Sequence, residues 1–510
     1  MAKSANQAPA ADAAAAAAPQ RKSSWLWFLT LLLAGAFVAS GLVGHEPWTE
    51  REAQSLAAVQ SIVDSGNYLA PSVDGEPLLQ TPPLYYITGA ALAQALGDYL
   101  PADQAARVAS GVFLAVALLF TWLFGRATWR HGDDPPMLGA GAASVLVLLS
   151  SLGVVWYGHD MVPETALMAG MAIGLYGMAL WPRRVFWGGL WLGTGLGIAF
   201  MATGFFGPVV LGVTALILPF LGIARFGRYL KGIIVAAIFA LPWLLVWPLL
   251  LRQQDPALYE VWLAADTLDR YLAGIDFSNP SVQLQWLWLF LSMAFPAWLL
   301  TVLTLLLRPG ALFGFPGFRA ALLVAVLGWG LLVLSDALSP VYALGLLVPL
   351  AVIGAGGVQR VPRWLVWPVH WLSALLFGAV AAALWGAWIW LLYQGEPPPV
   401  TGLGDYLPLD QGFTWQPVVY VTAALLTVIW LWAVMRFRPS RPAALLAWPV
   451  GVVMVWSLLA LHQPWLDAAI AEGKLAKAVP EELVPEPATA PAAEGGADAA
   501  GASSTTATAL

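Results

Sequence analysis

The sequence predicts an all-α polytopic membrane protein, and its composition and apolar pattern support this fold class. Of its 510 residues, 60% are hydrophobic and only 10% are charged, whereas a typical soluble domain has roughly 45–50% and 25%. A soluble protein of this size cannot bury so much apolar surface. Apolar runs of about 20 residues, the length that a bilayer requires, recur along the chain. These features exclude a soluble enzyme, and they exclude nucleic acid as a partner.

About thirteen apolar runs are predicted to span the membrane as helices. The first extends from Trp25 to Val43. The others lie near 108–125, 137–156, 161–181, 186–202, 204–222, 232–251, 284–306, 320–335, 341–357, 364–393, 417–435 and 444–461. We therefore expect a transmembrane domain over 24–462, between disordered tails over 1–23 and 463–510 whose composition cannot form a packed core.

The basic residues predict how these spans are oriented. If the N-terminus is cytoplasmic, 17 of the 23 Lys and Arg residues lie on the inner side and 6 on the outer side. This is a strong positive-inside bias. Because the number of predicted spans is odd, the C-terminus is expected on the outer side.

The longest polar segments lie on the predicted outer side, over 44–106, 252–283 and 394–416. Long loops are uncommon unless they have a function. Within the first loop, 52–64 and 84–96 have apolar faces and are predicted to be amphipathic helices on the membrane surface. The sequence therefore predicts that the working surface faces outward.

The first outer loop and the spans that follow it carry a series of short motifs in a defined order. They are Pro47-Trp48-Thr49-Glu50-Arg51-Glu52-Ala53, Gln80-Thr81-Pro82-Pro83-Leu84-Tyr85-Tyr86, Arg107, His159-Asp160-Met161, Thr203-Gly204 with Gly207-Pro208, Asp269-Arg270-Tyr271-Leu272, and Tyr342-Ala343-Leu344 through Pro349. This series resembles the GT-C type lipid-linked glycosyltransferases, specifically the bacterial aminoarabinose-transferase and protein-mannosyltransferase-like family.

The resemblance implies a function and a location. Members of the family take a sugar from a polyprenyl-phosphate donor at the outer face of the bacterial inner membrane. They transfer it, with inversion, to a lipid (lipid A among them), a glycan or a protein. The resemblance thus implies GT-C architecture, with 44–106 as the first periplasmic loop, a cytoplasmic N-terminus and a periplasmic C-terminus. Cationic groups or a divalent cation stabilise the leaving phosphate in this family. The sequence leaves that cofactor open and assigns no metal ligand.

Several charged positions of the family motifs are substituted in this chain. Arg51 stands where the family has Asp, and Thr81 and Thr203 stand where it has Lys. A threonine hydroxyl cannot neutralise the charge that develops on a departing phosphate. Either the site has been rebuilt, or the chain is a catalytically inactive GT-C relative that binds a lipid-linked sugar or an enzyme partner.

A rebuilt site would need a base near the acceptor and cations near the phosphate. The first outer loop offers carboxylates for the base, and the outer side offers few cations for the phosphate. The predicted catalytic residues are Glu50 or Glu52 as the base and Asp160 as an acid that positions the acceptor. The predicted substrate-binding residues are Arg51, Arg107 and Arg270 on the phosphate, with Tyr85, Thr81 and Thr203 nearby.

Overall fold

The structure is a computed structural model that describes residues 24–44, 47–129, 139–221, 226–265, 280–334, 339–358, 361–395, 398, 417–436 and 441–471. Its secondary structure is almost entirely helical in these ranges, which confirms the predicted all-α class. One short antiparallel hairpin pairs β1 (Ser72–Val73) with β2 (Glu76–Pro77).

Most of the helices follow the predicted apolar runs and the two predicted loop helices, whereas the helices over Pro256–Ala265, Ala311–Gly314 and Gln463–Ala471 lie outside those segments. In chain order they are α1 (Ser24–Ala39), α2 (Glu50–Ser65), α3 (Leu84–Leu96), α4 (Ala102–Thr128), α5 (Ala140–Leu149), α6 (Leu152–Tyr157), α7 (Glu164–Leu180), α8 (Val185–Thr203), α9 (Phe206–Ile217), α10 (Phe226–Gln254), α11 (Pro256–Ala265), α12 (Pro280–Met293), α13 (Ala297–Leu307), α14 (Ala311–Gly314), α15 (Pro316–Leu334), α16 (Leu344–Gly357), α17 (Arg363–Gln394), α18 (Pro417–Arg436), α19 (Arg441–Leu459) and α20 (Gln463–Ala471). Short 3₁₀ turns cover Leu218–Leu221, Pro340–Ala343 and Ala460–His462.

Within the described ranges, seven helices are long and apolar enough to cross a membrane, and α12 and α13 would add an eighth as a pair bent by 90°. Six further apolar helices have 10–17 residues. The total of thirteen spans therefore stays a prediction.

Helices α7 and α16 form the centre of the bundle. Both are buried nearly all round, and both are apolar nearly all round, as expected of a helix with no face toward solvent. Helix α8 packs closely against α7 through glycines. A Cβ atom built on Gly195 would lie 2.3 Å from the backbone nitrogen of Gly174. Small residues allow this approach, as they commonly do between helices in membranes.

Replacing Gly195 with Ala is expected to destabilise the fold by about 1–3 kcal/mol, because the new methyl group would collide with the backbone of α7. The measurement is the thermal unfolding midpoint in detergent. Gly212→Ala on α9 is the matched control, because a Cβ atom there meets nothing within 4 Å. Equal midpoints for the two variants would contradict the close α7–α8 contact.

The first long loop folds into two helices joined by the hairpin. Thr49 caps α2, and its hydroxyl accepts a hydrogen bond from the backbone N–H of Glu52 at 3.2 Å. Asp74 and Gly75 have φ angles of 52° and 86°, which suit the tight turn between β1 and β2. Helix α2 packs against α3, where a Cβ atom on Gly89 would lie 2.8 Å from Val59. This loop is therefore ordered over the bundle.

Helix α20 lies within the segment that the sequence predicts as a disordered tail from residue 463. The side chain of Trp48 donates a hydrogen bond to Asp467, and Trp465 is buried. These contacts order the start of the segment against the first loop. The predicted tails over 1–23 and beyond residue 471 lie outside the described residues.

Candidate functional site

Five charged residues converge where the first long loop meets the ends of α4 and α7. We call Arg51, Glu52, Arg107, Asp160 and Glu164 the charged cluster. Arg51 and Glu52 belong to the first turn of α2, and Arg107 lies in the second turn of α4. Asp160 lies in the turn before α7, whose first residue is Glu164. Four of the five are residues that the sequence predicts for the site, so the structure brings four of the nine predicted residues together in this cluster.

Glu52 and Arg107 form a buried ion pair within the charged cluster. Arg107 Nη2 lies 3.5 Å from Glu52 Oε1, and the two side chains are 0% and 1% exposed. Glu52 Oε1 also accepts a hydrogen bond from the backbone N–H of Met161 at 3.0 Å, and Oε2 accepts one from the backbone N–H of Trp48 at 2.8 Å. Because both carboxylate oxygens are engaged and shielded from solvent, this geometry favours a positioning role for Glu52 over that of a base.

Asp160 is half-buried beside this pair. Burial raises the pKa of its carboxyl group well above the ordinary value, and the charge of Glu52 raises it further, while Arg107 and Arg51 act in the opposite direction. A carboxylate with a raised pKa is a stronger base than an exposed one. Asp160 is therefore the member of the charged cluster best suited to accept a proton.

Arg51 joins α2 to two other elements. Its Nη2 lies 2.7 Å from Glu164 Oε1, and its Nη1 donates to the hydroxyl of Ser339 at 2.8 Å. The Glu164 carboxylate raises the pKa of Arg51. The Arg51 side chain is 44% exposed, whereas that of Glu164 is 2% exposed. A guanidinium group has further N–H donors, so Arg51 can hold Glu164 and still donate to an incoming oxyanion.

The turn that carries Asp160 is anchored on its other side by His159. His159 is buried, and its Nε2 lies 2.7 Å from the carbonyl oxygen of Phe37 on α1. Its ring stacks on Trp456 of α19 with centroids 5.1 Å apart. These contacts tie the turn to the first and nineteenth helices, which limits how far Asp160 can move.

The remaining predicted residues lie apart from the charged cluster or contact it indirectly. Glu50 is exposed and accepts a hydrogen bond from Gln54 at 3.2 Å. Thr203 is fully buried, and its hydroxyl donates to Ala199 of its own helix at 3.4 Å. The Thr81 hydroxyl lies 3.1 Å from the hydroxyl of Tyr86. Tyr85 is buried and contacts Ser110, while Arg270 lies outside the described residues.

Sequence reasoning missed Glu164 and Ser110. Glu164 was detectable, because it is the one acidic residue within the predicted span 161–181, and an ionisable residue inside a span is a functional candidate by default. Ser110 gives no such signal, since a serine near the end of an apolar helix is common. Only the folded arrangement reveals its contacts.

The sequence does not decide whether the protein binds a divalent cation. Across the described ranges, no group of three or more His, Asp or Glu side chains is arranged to hold a metal ion. The positive charges in the charged cluster are those of Arg51, which pairs with Glu164, and Arg107, which pairs with Glu52.

The chain is similar to known proteins in sequence and in fold. It is 24% identical over 480 residues to undecaprenyl phosphate-α-4-amino-4-deoxy-L-arabinose arabinosyl transferase 2 from Pseudomonas fluorescens, with 90% of this chain and 74% of the relative covered. Two solved structures of ArnT from Cupriavidus metallidurans are similar in fold. The one bound to undecaprenyl phosphate has a TM-score of 0.61 at 16% identity, covering 92% of this chain and 82% of that chain. The apo structure has a TM-score of 0.58 at 14% identity, covering 87% and 78%.

No model of a known protein family matches the sequence. The sequence relative and the ArnT structures nevertheless confirm the predicted resemblance to aminoarabinose transferases and the GT-C-like fold. Together with the seven apolar helices, they identify a multi-pass membrane protein.

Proposed function

We propose that this chain, which resembles the aminoarabinose transferases in sequence and in fold, is a membrane glycosyltransferase. It moves a sugar from a polyprenyl-phosphate donor to a lipid or glycan acceptor, of which lipid A is the first candidate. The reaction takes place at the periplasmic face of the inner membrane. The observation that carries the proposal is the presence, in one charged cluster, of a half-buried carboxylate at Asp160 and a half-exposed guanidinium at Arg51.

Asp160 acts as the base in the proposed reaction. An acceptor oxygen attacks the anomeric carbon of the sugar, with inversion, and its proton passes to the Asp160 carboxylate. The bond between that carbon and the phosphate oxygen breaks, and polyprenyl phosphate leaves. The raised pKa of Asp160 supports this role, because it brings the carboxyl group closer to the pH at which the enzyme operates.

Arg51 receives the departing phosphate in the same reaction. Its exposed guanidinium can donate to phosphate oxygens as their negative charge grows. Glu164 and Ser339 each accept a hydrogen bond from the guanidinium and restrict its motion, so less conformational freedom is lost when the phosphate binds. Arg107 forms the fully buried ion pair with Glu52, and its role is to stabilise the fold.

Replacing Arg51 with Ala is expected to raise the KM for the donor and to lower kcat/KM by about 10²-fold, because a charged donor to the phosphate is lost. Arg51→Lys should recover only part of this, since an ammonium group cannot replace the planar fork. The assay is transfer from undecaprenyl phosphate-α-4-amino-4-deoxy-L-arabinose to lipid A in proteoliposomes. Arg252→Ala is the control, because that exposed arginine lies over Tyr259 and outside the charged cluster. Equal losses in the two variants would remove Arg51 from the phosphate site.

A catalytically inactive relative is the second candidate function. It is favoured by the internal contacts of the substituted positions, since Arg51 is held by Glu164, and Thr203 bonds its own helix. Under this alternative, a chain carrying Arg51→Asp, Thr81→Lys and Thr203→Lys would behave like wild type in cells, and the native chain would co-purify with a partner. Turnover by the purified wild-type chain alone would exclude it.

A further inference from the structure

We propose that Ser110, supported by Tyr85, is a positioning residue for Asp160. It acts through the backbone of residue 160 and does not touch the reacting atoms. The inference rests on the proposed function, in which the Asp160 carboxylate receives the acceptor proton. It concerns the buried polar chain that joins α3 and α4 to the turn before α7.

The peptide unit between Asp160 and Met161 is held from both sides. On one side, the Ser110 hydroxyl donates to the carbonyl oxygen of Asp160 at 2.7 Å. On the other side, the N–H of Met161 donates to Glu52 Oε1 at 3.0 Å. The plane of that peptide is therefore fixed by α4 and α2 together. Because the plane includes the Cα atom of Asp160, it restricts the directions in which the Asp160 side chain can leave the backbone.

The direction of the chain of hydrogen bonds follows from the number of protons. Ser110 has a single hydroxyl proton, and a carbonyl oxygen can only accept, so that proton is committed to Asp160. In the 2.7 Å contact between Ser110 and Tyr85, Tyr85 must therefore be the donor. Tyr85 is 1% exposed and Ser110 is 0% exposed, so both groups depend on these bonds. The order is Tyr85 to Ser110 to Asp160, and aligned donors of this kind strengthen one another.

Ser110 differs from other buried serines of this bundle. A serine inside a helix commonly bonds the carbonyl four residues earlier. Ser144 does so with Ala140 at 2.8 Å, and Ser150 does so with Leu146 at 2.6 Å. Ser110 instead reaches across to a turn 50 residues away in sequence. The Ser110 hydroxyl therefore stabilises the turn that carries Asp160, and it does not bond the backbone of its own helix.

The experiment compares Ser110→Ala, Ser110→Thr and Tyr85→Phe with Ser144→Ala as the matched control. Transfer from undecaprenyl phosphate-α-4-amino-4-deoxy-L-arabinose to lipid A is measured in proteoliposomes as kcat, KM and the pH profile of kcat. Amide hydrogen exchange over residues 158–163 and the thermal unfolding midpoint are measured on the same full-length proteins. Hydrogen exchange reports on the mobility of the turn before α7 even if the protein shows no catalytic activity.

Ser110→Ala is expected to lower kcat by about tenfold with KM changed less than about twofold, because one hydrogen bond that orients Asp160 is lost. The acid limb of the kcat–pH profile of Ser110→Ala should move to lower pH, because a less tightly held Asp160 carboxylate is better hydrated. The charged and titratable groups around Asp160 stay the same, namely Glu52, Glu164, Arg51, Arg107 and Tyr157. Exchange over 158–163 should rise. Ser110→Thr keeps the hydroxyl and should restore most of kcat. Tyr85→Phe should act in the same direction as Ser110→Ala, with a smaller loss.

Matching kinetics, pH profile and exchange in Ser110→Ala and Ser144→Ala would overturn the inference. If Ser110→Ala fails to fold, Tyr85→Phe decides by the same measurements. If wild type transfers no sugar, the proposed function fails. Hydrogen exchange then tests separately whether Ser110 holds the turn that carries Asp160. Faster exchange in Ser110→Ala than in Ser144→Ala supports this role, and equal exchange overturns it.

Discussion

Asp160→Asn is expected to lower kcat for sugar transfer by about 10²–10⁴-fold, the range that a positioned general base contributes. The amide has nearly the same shape as the carboxylate but cannot accept the acceptor's proton. The hydrogen bonds that hold this turn run from Ser110 to the carbonyl oxygen of residue 160 and from the N–H of Met161 to Glu52, so the fold should survive the change. The measurement is transfer in proteoliposomes with the donor saturating.

Asp64→Asn is the matched control for this prediction, because Asp64 is an exposed carboxylate near the end of α2. Its kcat should equal that of wild type. Loss of activity in Asp160→Asn together with a lowered unfolding midpoint would point to misfolding. A kcat within about threefold of wild type would be too small a loss for a general base, and it would remove Asp160 from that role.

The pH dependence of kcat follows from the same carboxyl group. Burial and Glu52 raise the pKa of Asp160, and the base must be deprotonated, so activity should rise with pH through a midpoint well above the ordinary value of about 4. Glu164 also raises this pKa. Glu164→Gln should therefore move the acid limb to lower pH. A limb at the ordinary value in wild type would contradict the assignment.

Arg107→Ala is expected to destabilise the fold by about 3–5 kcal/mol, because it leaves the buried carboxylate of Glu52 without its cation. The two backbone N–H groups that Glu52 retains favour the lower end of that range. The measurement is the shift of the thermal unfolding midpoint in detergent. The double variant Glu52→Gln and Arg107→Met removes both charges and should recover most of the lost stability.

Arg126→Ala provides the control for this second prediction. Arg126 lies on the same helix, is exposed, and stacks over Trp122 at 4.6 Å. Its removal should cost about 1 kcal/mol or less. If the double variant were as unstable as Arg107→Ala, loss of packing would explain the effect better than an uncompensated charge.

The fold was largely predictable because the bilayer imposes a simple rule on the sequence. Apolar runs of spanning length predict helices, and the described ranges contain helices along these runs. The two helices of the first loop, over Glu50–Ser65 and Leu84–Leu96, were predicted separately from their apolar faces. The break between α8 and α9 falls at Gly204, whose φ angle of 75° ends the helix where the sequence places an interruption. The start of the second tail differs, because Trp48 contacts Asp467 of α20, and such a long-range contact leaves no local pattern.

The sequence predicted four of the five members of the charged cluster, but it predicted neither Glu164 nor how the charges pair. Charge in an apolar chain is scarce, so Arg51, Glu52, Arg107 and Asp160 stood out. Their pairing depends on helical phase and tertiary packing. Glu52 shares the buried face of α2 with Ser55, Val59 and Ile62, whereas Glu50 lies on the opposite side and is exposed. From this helical spacing, the sequence alone could have assigned Glu52 to the buried face and Glu50 to the exposed face. The bond from Ser110 to residue 160 could not have been found without the fold.

Sugar transfer by the purified chain is the most direct test of the central claim that the charged cluster is a working transferase site. Wild type in proteoliposomes is given undecaprenyl phosphate-α-4-amino-4-deoxy-L-arabinose and lipid A, and both lipids are followed by mass spectrometry. We expect lipid A to gain the sugar as free undecaprenyl phosphate accumulates, and we expect Asp160→Asn to show neither change. Wild type that binds undecaprenyl phosphate yet leaves donor and acceptor unchanged would contradict the account and favour an inactive relative.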